Sequence, residues 1–461
     1  MSVKTMRVQR LELTHFRGIR HLTLDFPENV TVLVGVNGAG KTSILEALRA
    51  SLALPLQMVQ EDVRKGVAGR ELLRSLQENI IYHGVPVRER VPVRELSRYL
   101  QESDIQVGQR ALSLAVDART EQGNLTWNIK GQSTIPGEMA LHGNWHKLAE
   151  RASELAADVS DDPLTAVPLA IYYAAGRGAN RDEPPSKEAD VQNQFAAYEH
   201  ALTGSGLSST SAFVSWFRRR EDYENEKRLD DAVFRDSQLQ AVRRAVEELL
   251  PGFSAPRIRR QPMRMVVRKG DTEVDIKHLS DGERYLLTLG ADIARRLALA
   301  NPQAARPELC SAIILIDEVE SHLHPSWQRH VVPALARTFP HCQFIVTTHS
   351  PQVLSEVRPE CIYLLLQEGE QLSVVRPEAS LGRDSNRILE DILGVAARPD
   401  RIKESLREYF RLIDTNDLEA AKKLRVELEQ EIGRTEPEFA RADVLIRRKE
   451  LLNRETHRQG S

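Results

Sequence analysis

Hydrophobic and polar residues alternate with a period of two in several parts of the chain. The first such segment is MRVQRLELTHFRGIRHLTLDF, which is interrupted at Arg17-Gly18. This pattern predicts an antiparallel hairpin. A second hairpin is predicted in ALSLAVDARTEQGNLTWNIKG, with its turn near Gly123-Asn124, and a third strand pair turns at Gly270-Asp271.

Continuous apolar runs predict a second kind of strand. They occur in VTVLVG, VPLAIYYAA, AIILI and QFIVTT, and from Leu279 to His349 they alternate with helical patterns. Such alternation is typical of a mostly parallel sheet with both faces covered. A further strand pair is predicted in CIYLLLQEGEQLSVVR. Helical patterns fill the stretch from Pro55 to Leu100 and a second stretch that runs from the end of RDEPPSKEAD to Leu250. A charged helical tail begins at Asn386. The fold class is therefore α/β.

Composition and charge narrow the class of protein without pointing to a partner. The chain has 461 residues, 28% of them charged, and a net charge of −3, so any nucleic-acid site must be local. No apolar stretch has the length of a signal peptide or a membrane span. The three cysteines are far apart in or beside apolar runs, where a buried free thiol is the ordinary role. We therefore expect a soluble, cytoplasmic protein with no membrane partner.

The segment GVNGAGKTS satisfies the pattern GxxxxGK[ST] and has a predicted strand before it and a helix after it. In such a loop, backbone N–H groups and the positive helix end hold phosphates. Lys41 would reach the β and γ oxygens, and Thr42 would bind Mg²⁺. A glycine-rich turn without a ligand is the alternative, which the flanking elements disfavour. The predicted ATP-binding residues are Gly35, Asn37, Gly38, Ala39, Gly40, Lys41, Thr42 and Ser43.

The segment AIILIDEVE places two acids directly after an apolar run. Asp317 at the end of this buried strand would reach Mg²⁺ through water. Glu318 would lie beside the γ-phosphate and polarise the attacking water as a general base. An apolar strand that ends in Asp-Glu is common, so this pair gains weight only from the other motifs.

The segment HLSDGERYLLTLG offers a further phosphate site before an amphipathic helix. Ser280 can donate its hydroxyl, Gly282 permits close backbone approach, and the helix presents its positive end. Ser280 with Glu283 three residues later also forms a capping box, which could be its whole role. The two interpretations are compatible.

Taken together, LTHFRGIRHLTLDF, GVNGAGKT, LSDGE, IDEVESHLHP and VTTHSP resemble the SMC/RecF-like branch of ABC ATPases. This branch includes OLD-family nucleases and the ATPase of the Septu anti-phage system. The segment GRDSNRILEDILGV and the charged tail that follows it resemble the Septu ATPase most. The resemblance implies an ABC-type P-loop NTPase head with mixed and parallel sheets. The expected domains are a head of residues 1–55 and 256–385, an inserted helical region of residues 56–255 that contains a β-hairpin and a strand of the N-lobe, and a helical tail of residues 386–461 for partner docking or oligomerisation.

The resemblance also implies a mechanism shared between two copies of the chain. In ABC-type heads the signature of one copy closes over nucleotide held by the other, so Ser280 and Gly282 would act in trans on ATP bound at Lys41. His349 occupies the position of a histidine that contacts the γ-phosphate. The chain departs from ABC transporters at His324, where they usually have an aspartate. No convincing glutamine loop is present, although Gln57 and Gln60 are suitably placed.

Three other features compete for a role. His322 and His324 have a spacing that a zinc site could use, but a loop without a third ligand is the better interpretation. The run RIRRQPMRMVVRK could bind nucleic-acid phosphates or could be a solvated sheet edge. Its basic residues are Arg257, Arg259, Arg260, Arg264, Arg268 and Lys269. The tail contains no strand-borne set of acids, so no nuclease activity is expected in this chain.

The leading hypothesis is an ATPase that dimerises head to tail on ATP and regulates a separate effector, an HNH-type nuclease in bacterial anti-phage defence. One alternative is a RecF-like repair or maintenance ATPase that binds DNA. Another is a scaffold that binds ATP to assemble but hydrolyses little of it. ATP and Mg²⁺ are the expected cofactors in each case.

Overall fold

The computed structural model describes residues 5–27, 29–77, 81–82, 85–86, 96–135, 138–175, 194–204, 210–369 and 371–459. The chain divides into two compact units, Met1–Ile388 and Leu389–Ser461. The first unit contains all the strands described below, and the second is helical. In the described part of the chain, no helix is long and apolar enough to cross a membrane.

An antiparallel sheet of five strands begins the first unit, in the order β2-β1-β6-β7-β8. Its strands are β1 (Met6–Phe16), β2 (Ile19–Asp25), β6 (Ala111–Thr120), β7 (Gly123–Ile135) and β8 (Glu138–His142). Phe16 pairs with Ile19 across the first turn, and β6 pairs with β7, so both predicted hairpins are confirmed. Because β6 also pairs with β1, the sheet joins the N-terminus to a segment far along the chain.

The second sheet has six strands in the order β16-β15-β3-β14-β13-β9. They are β3 (Val30–Gly35), β9 (Ala170–Tyr173), β13 (Ile313–Ile316), β14 (Gln343–Thr347), β15 (Ile362–Glu368) and β16 (Gln371–Val375). All pairings are parallel except that of β15 with β16, which confirms the predicted parallel sheet. Since the carboxyl ends of parallel strands lie at one edge, the residues after β3, β13 and β14 meet there.

A third sheet contains β10 (Phe253–Arg260), β11 (Met263–Lys269) and β12 (Thr272–Asp275), paired antiparallel in that order. The predicted strand pair at Gly270-Asp271 is therefore confirmed. Two very short strands, β4 (Ile81–Tyr82) and β5 (Val85–Pro86), pair with each other.

Helices cover the parallel sheet and connect its strands. In the first unit they are α1 (Lys41–Gln77), α2 (His146–Asp161), α3 (Thr210–Asp230), α4 (Ser237–Leu249), α5 (Asp281–Ala300), α6 (Pro325–Thr338) and α7 (Pro351–Leu354). The next helix is α8 (Ser385–Asp391). Helix α1 continues through Pro55, although the hydrophobic pattern changes there. In a regular helix the carbonyl oxygen of Ser51 would accept from the N–H of residue 55, but proline has no N–H. The indole of Trp127 in β7 donates to this oxygen instead, at 3.1 Å.

The second unit has a core of its own. It is built from α9 (Asp400–Asp414), α10 (Leu418–Ile432) and α11 (Pro437–Gln459), as the charged helical pattern predicts. Tyr409, Ile413, Leu428 and Phe439 are buried together between these helices. The fold of this unit therefore rests on an apolar core beneath its charged surface.

Candidate active site

The loop between β3 and α1 depends on glycine at three positions. Gly38 and Gly40 have φ values of +83° and +92°, in the left-handed region where other residues are strained. A Cβ atom on Gly35 would lie 2.8 Å from the carbonyl oxygen of Leu365 in β15, so that position has no room for a side chain. Asn37 and Gly38 are exposed at the tip, and Ala39 is turned inward.

Lys41 is only 6% exposed and lies at the start of α1. Its Nζ donates to the carbonyl oxygens of Gly35, at 2.9 Å, and Val36, at 3.1 Å. Burial lowers the pKa of Lys41, and the charges of Asp317 and Glu318 oppose that shift. The ammonium group thus lies within the loop, where phosphate oxygens would be stronger acceptors than these carbonyl oxygens.

Asp317 follows β13 and connects to the loop helix. The hydroxyl of Thr42 donates to Asp317 Oδ2 at 2.9 Å. The other oxygen, Oδ1, accepts from the hydroxyl of Thr347 at 2.5 Å. The same Thr347 hydroxyl accepts from the backbone N–H of Glu318 at 2.7 Å. One buried threonine therefore positions both acids of the pair.

The oxygen atoms of Thr42 and Asp317 fit a divalent cation. Mg²⁺ prefers oxygen ligands and is commonly held by one carboxylate together with substrate phosphates. Among the described residues, no group of three or more His, Cys, Asp or Glu side chains could hold a metal. Thr42 and Asp317 are thus the residues that would hold such an ion beside the phosphates of a bound nucleotide.

Glu318 and His349 lie on neighbouring loops at the same edge of the sheet. Glu318 has a φ of 50°, a conformation that costs energy for a residue with a side chain and is enriched at functional sites. Partial burial lowers the pKa of His349, and the charge of Lys41 acts in the same direction, whereas Glu320 and Glu318 oppose it. The acid pair, His349 and Lys41 thus lie close enough to affect one another electrostatically.

The LSDGE segment forms the N-terminus of α5. The Ser280 hydroxyl accepts from the N–H of Glu283 and the Glu283 carboxylate accepts from the N–H of Ser280, so the capping box is present. A Cβ atom on Gly282 would lie 3.1 Å from the carbonyl oxygen of His322. Among the described residues, no hydrogen bond joins Ser280 or Gly282 to the loop of Lys41. The structure therefore brings the loop, Asp317, Glu318 and His349 together, whereas LSDGE, which we call the signature segment, packs against the loop that follows the acid pair.

Sequence reasoning missed Thr347, Glu320 and Gln328. Glu320 Oε1 accepts from the N–H of His349 at 2.6 Å, and Gln328 in α6 bonds to the Ser350 hydroxyl at 2.7 Å. One signal could have identified Thr347: it is a polar residue at the carboxyl end of a buried parallel strand, the edge where ligands bind in such sheets. Glu320 and Gln328 have no comparable signal.

The two histidines of the HLHP segment have local roles. His324 is the N-cap of α6, where its Nδ1 accepts from the N–H of Ser326 at 3.3 Å. His322 has a φ of 65° and its carbonyl oxygen lies near Gly282. This loop therefore connects the acid pair to the start of α5.

Much of the basic run is paired with acids. Arg257 and Arg259 both bind Glu273, and these hydrogen bonds lower the pKa of Glu273 to about 2. Lys269 binds Glu283 at 2.7 Å. The remaining members reach the surface or bind α3, as Arg260 does through Glu221 and Asp222.

Two family models match the chain. Residues 179–355 match "AAA domain, putative AbiEii toxin, Type IV TA system", and residues 10–58 match "AAA domain". The two matches include the Lys41 loop, the signature segment, the acid pair and His349. They therefore cover all the motifs from which the site was predicted.

Known proteins resemble the chain over most of its length. It is 29% identical to "Retron Ec83 probable ATPase" of Escherichia coli, over 93% of this chain and 84% of that protein. It is 22% identical to "Septu protein PtuA" of Bacillus mycoides, over 79% of this chain and 41% of that protein. Among solved structures, the "SMC head domain from Thermotoga maritima" is 15% identical with a TM-score of 0.41, over 81% of this chain and 100% of that one. The chain is therefore similar in sequence to the retron and Septu ATPases, in agreement with the resemblance of its motifs to SMC/RecF-like ATPases.

Proposed function

We propose that the chain binds ATP with Mg²⁺, hydrolyses it in a head-to-tail dimer, and regulates a separate effector. The observation that carries the proposal is the hydrogen-bonded series Thr42, Asp317, Thr347 and Glu318 beside Lys41. These residues come from three parts of the chain and meet at one edge of the parallel sheet. No purely structural need accounts for two adjacent acids held beside a buried lysine.

Each side chain has a role that its position allows. Lys41 would leave its two carbonyl acceptors for the β and γ oxygens of ATP, while the N–H groups of the loop bind the phosphates. Thr42 and Asp317 would hold Mg²⁺, which neutralises charge on the phosphate oxygens. Glu318 would accept a proton from the attacking water. His349 would donate a hydrogen bond to the γ-phosphate.

The dimer is proposed because, among the described residues, no hydrogen bond joins Ser280 or Gly282 of the LSDGE segment to the Lys41 loop of the same subunit. Ser280 is exposed at the positive end of α5, whereas Gly282 is buried and packs against the carbonyl oxygen of His322, so Ser280 is the residue of the pair that a partner subunit could reach directly. In a head-to-tail pair, this end of one subunit would face the triphosphate held at Lys41 of the other. ATP would then bind more tightly to the closed dimer than to the monomer and shift the population towards it.

The effector proposal rests on the resemblance to the Septu and retron ATPases. The effector would be a nuclease of the HNH type that acts in anti-phage defence in the cytoplasm, and this chain would have no nuclease activity of its own. The second unit, Leu389–Ser461, is a candidate docking surface because it has its own core and a charged surface. Repeated purification from native cells without a nuclease would contradict this part.

The main experiment uses Glu318→Gln, which keeps the shape of the side chain but removes the base. Phosphate release should fall by about 100-fold or more, while ATP binding remains and the variant elutes as a dimer with ATP. Glu360→Gln, an equal change of charge at an exposed position, is the control. An unchanged rate for Glu318→Gln would remove Glu318 from its proposed role and favour the scaffold alternative.

Direct DNA binding is the second candidate, and the pairing of the basic run counts against it. Arg257, Arg259 and Lys269 are engaged by acids, which reduces the positive charge available to phosphates. If the isolated chain bound duplex DNA in an ATP-stimulated and salt-sensitive manner, direct DNA binding would become the preferred function.

A further inference from the structure

Two loops at the edge of the parallel sheet carry the chemistry of the site. We call Asp317–His324 the acid loop and Thr348–Ser350 the histidine loop. They follow β13 and β14, which are neighbours in the sheet. The position of His349 relative to Glu318 therefore depends on contacts between these two loops.

Glu320 in the acid loop makes the first such contact. Its Oε1 accepts from the backbone N–H of His349 at 2.6 Å, a short bond to a charged acceptor. Its other oxygen, Oε2, is shielded from solvent and has no hydrogen-bond donor among the described residues. Within the described part of the chain, the Glu320 carboxylate is thus bound through one oxygen only, by the backbone N–H of His349.

Gln328 makes the second contact from α6. Its Nε2 donates to the carbonyl oxygen of Leu323 in the acid loop at 2.9 Å. Its Oε1 accepts from the hydroxyl of Ser350 in the histidine loop at 2.7 Å. Glu320 and Gln328 thus link the same two loops, through the N–H of His349 and the hydroxyl of Ser350.

We propose that Glu320 is a positioning residue for ATP hydrolysis, which acts through His349 by fixing the histidine loop against the acid loop, and that Gln328 supports the same alignment. This inference rests on the proposed hydrolysis of ATP at this site. It adds a residue that would act by setting the geometry of His349, the residue proposed to contact the γ-phosphate.

The unpartnered oxygen argues for function over stability. Shielding a carboxylate oxygen from water without a donor is unfavourable. A purely structural residue at this position would satisfy both oxygens or carry no charge. Glu320 should therefore contribute more to activity than to the free energy of unfolding.

The test compares three replacements of Glu320. Alanine and methionine remove the acceptor, and methionine keeps most of the volume, so it carries the test if the alanine variant folds poorly. Each should lower kcat by about 10- to 100-fold, because small displacements of a reacting group have effects of this size. KM for ATP should stay within about twofold, and the melting temperature should be unchanged or higher. Glu320→Gln retains an acceptor for the His349 N–H and should restore most of kcat.

Epistasis with His349 separates positioning from a general structural effect. In a His349→Ala background, Glu320→Met should cause no further loss of kcat, because the group it positions is gone. Glu356→Gln, on the segment after α7 and outside both loops, is the matched control for the change of charge. The substitution Gln328→Ala should lower kcat in the same way, and less than additively with Glu320→Met.

Three outcomes would overturn the inference: a wild-type kcat in Glu320→Met, an equal loss in the His349→Ala background, or a fall in melting temperature that accounts for the loss of activity. If instead the wild type releases no phosphate above the Glu318→Gln level, the proposed function itself fails.

Discussion

At the scale of single residues, Thr347 organises the acid pair. Its hydroxyl is fully buried, donates to Asp317 and accepts from the N–H of Glu318. Its place at the carboxyl end of a buried strand is a signal that the sequence offers. Its two hydrogen-bond partners, however, become visible only when β13 and β14 lie side by side.

Replacing Thr347 with valine should harm both stability and activity. The change leaves a buried N–H and a carboxylate oxygen without their partner, which costs about 1–3 kcal/mol in the free energy of unfolding. Urea denaturation and phosphate release measure the two effects, and Thr347→Ser should restore both. The matched control is Thr31→Val in β3, whose buried hydroxyl has no hydrogen-bond partner in the part of the chain that the structure describes. Equal losses for the two valine variants would contradict the proposed role.

A site residue could be predicted from the sequence only where the chemistry of the site fixes its spacing from other residues. Lys41 and Thr42 were predictable because a phosphate loop needs glycines and a lysine at fixed spacing. Glu320 and Gln328 were not predictable, because their partners lie on another loop. Glu320 binds the N–H of His349, and Gln328 binds the hydroxyl of Ser350. Such contacts depend on the tertiary structure and leave no pattern in the sequence.

At the scale of elements, the apolar runs predicted the strands of the parallel sheet, but the course of α1 was less predictable. Proline lacks an N–H and normally ends a helix. Here the indole of Trp127 satisfies the carbonyl oxygen of Ser51, so α1 continues through Pro55 to Gln77. This replacement donor comes from β7 of the five-stranded antiparallel sheet, whereas α1 follows β3 of the parallel sheet.

This arrangement predicts an energetic coupling between Pro55 and Trp127. Trp127→Phe should cost about 1–3 kcal/mol, because a buried acceptor loses its donor. In a Pro55→Ala background the new N–H can bond to Ser51, so the same change should cost less. Trp145→Phe is the control, since the described residues offer no hydrogen-bond acceptor to its buried indole N–H. Additivity within about 0.5 kcal/mol in a urea-denaturation cycle would contradict the coupling.

At the scale of the whole molecule, the proposal that two copies share the site can be tested by mixing two inactive variants. Lys41→Ala removes the phosphate-binding lysine. Ser280→Asp keeps a good helix cap but places a negative charge against the partner's phosphates. Mixed dimers would contain one intact composite site, so a 1:1 mixture should recover up to about a quarter of the wild-type rate of phosphate release.

Ser280→Asn, a neutral cap of similar quality, is the control and should retain activity when tested alone. A mixture that stays as inactive as either variant would contradict the sharing of the site between two chains.

The bond between Thr42 and Asp317 joins residues 275 positions apart. During translation at roughly 5–20 residues per second, the phosphate loop precedes its acid by tens of seconds. A growing or prematurely ended chain would therefore have the lysine loop without Asp317, Glu318 or His349. Such a chain could not hydrolyse ATP, so catalytic competence would begin only after nearly the whole first unit has been synthesised and folded.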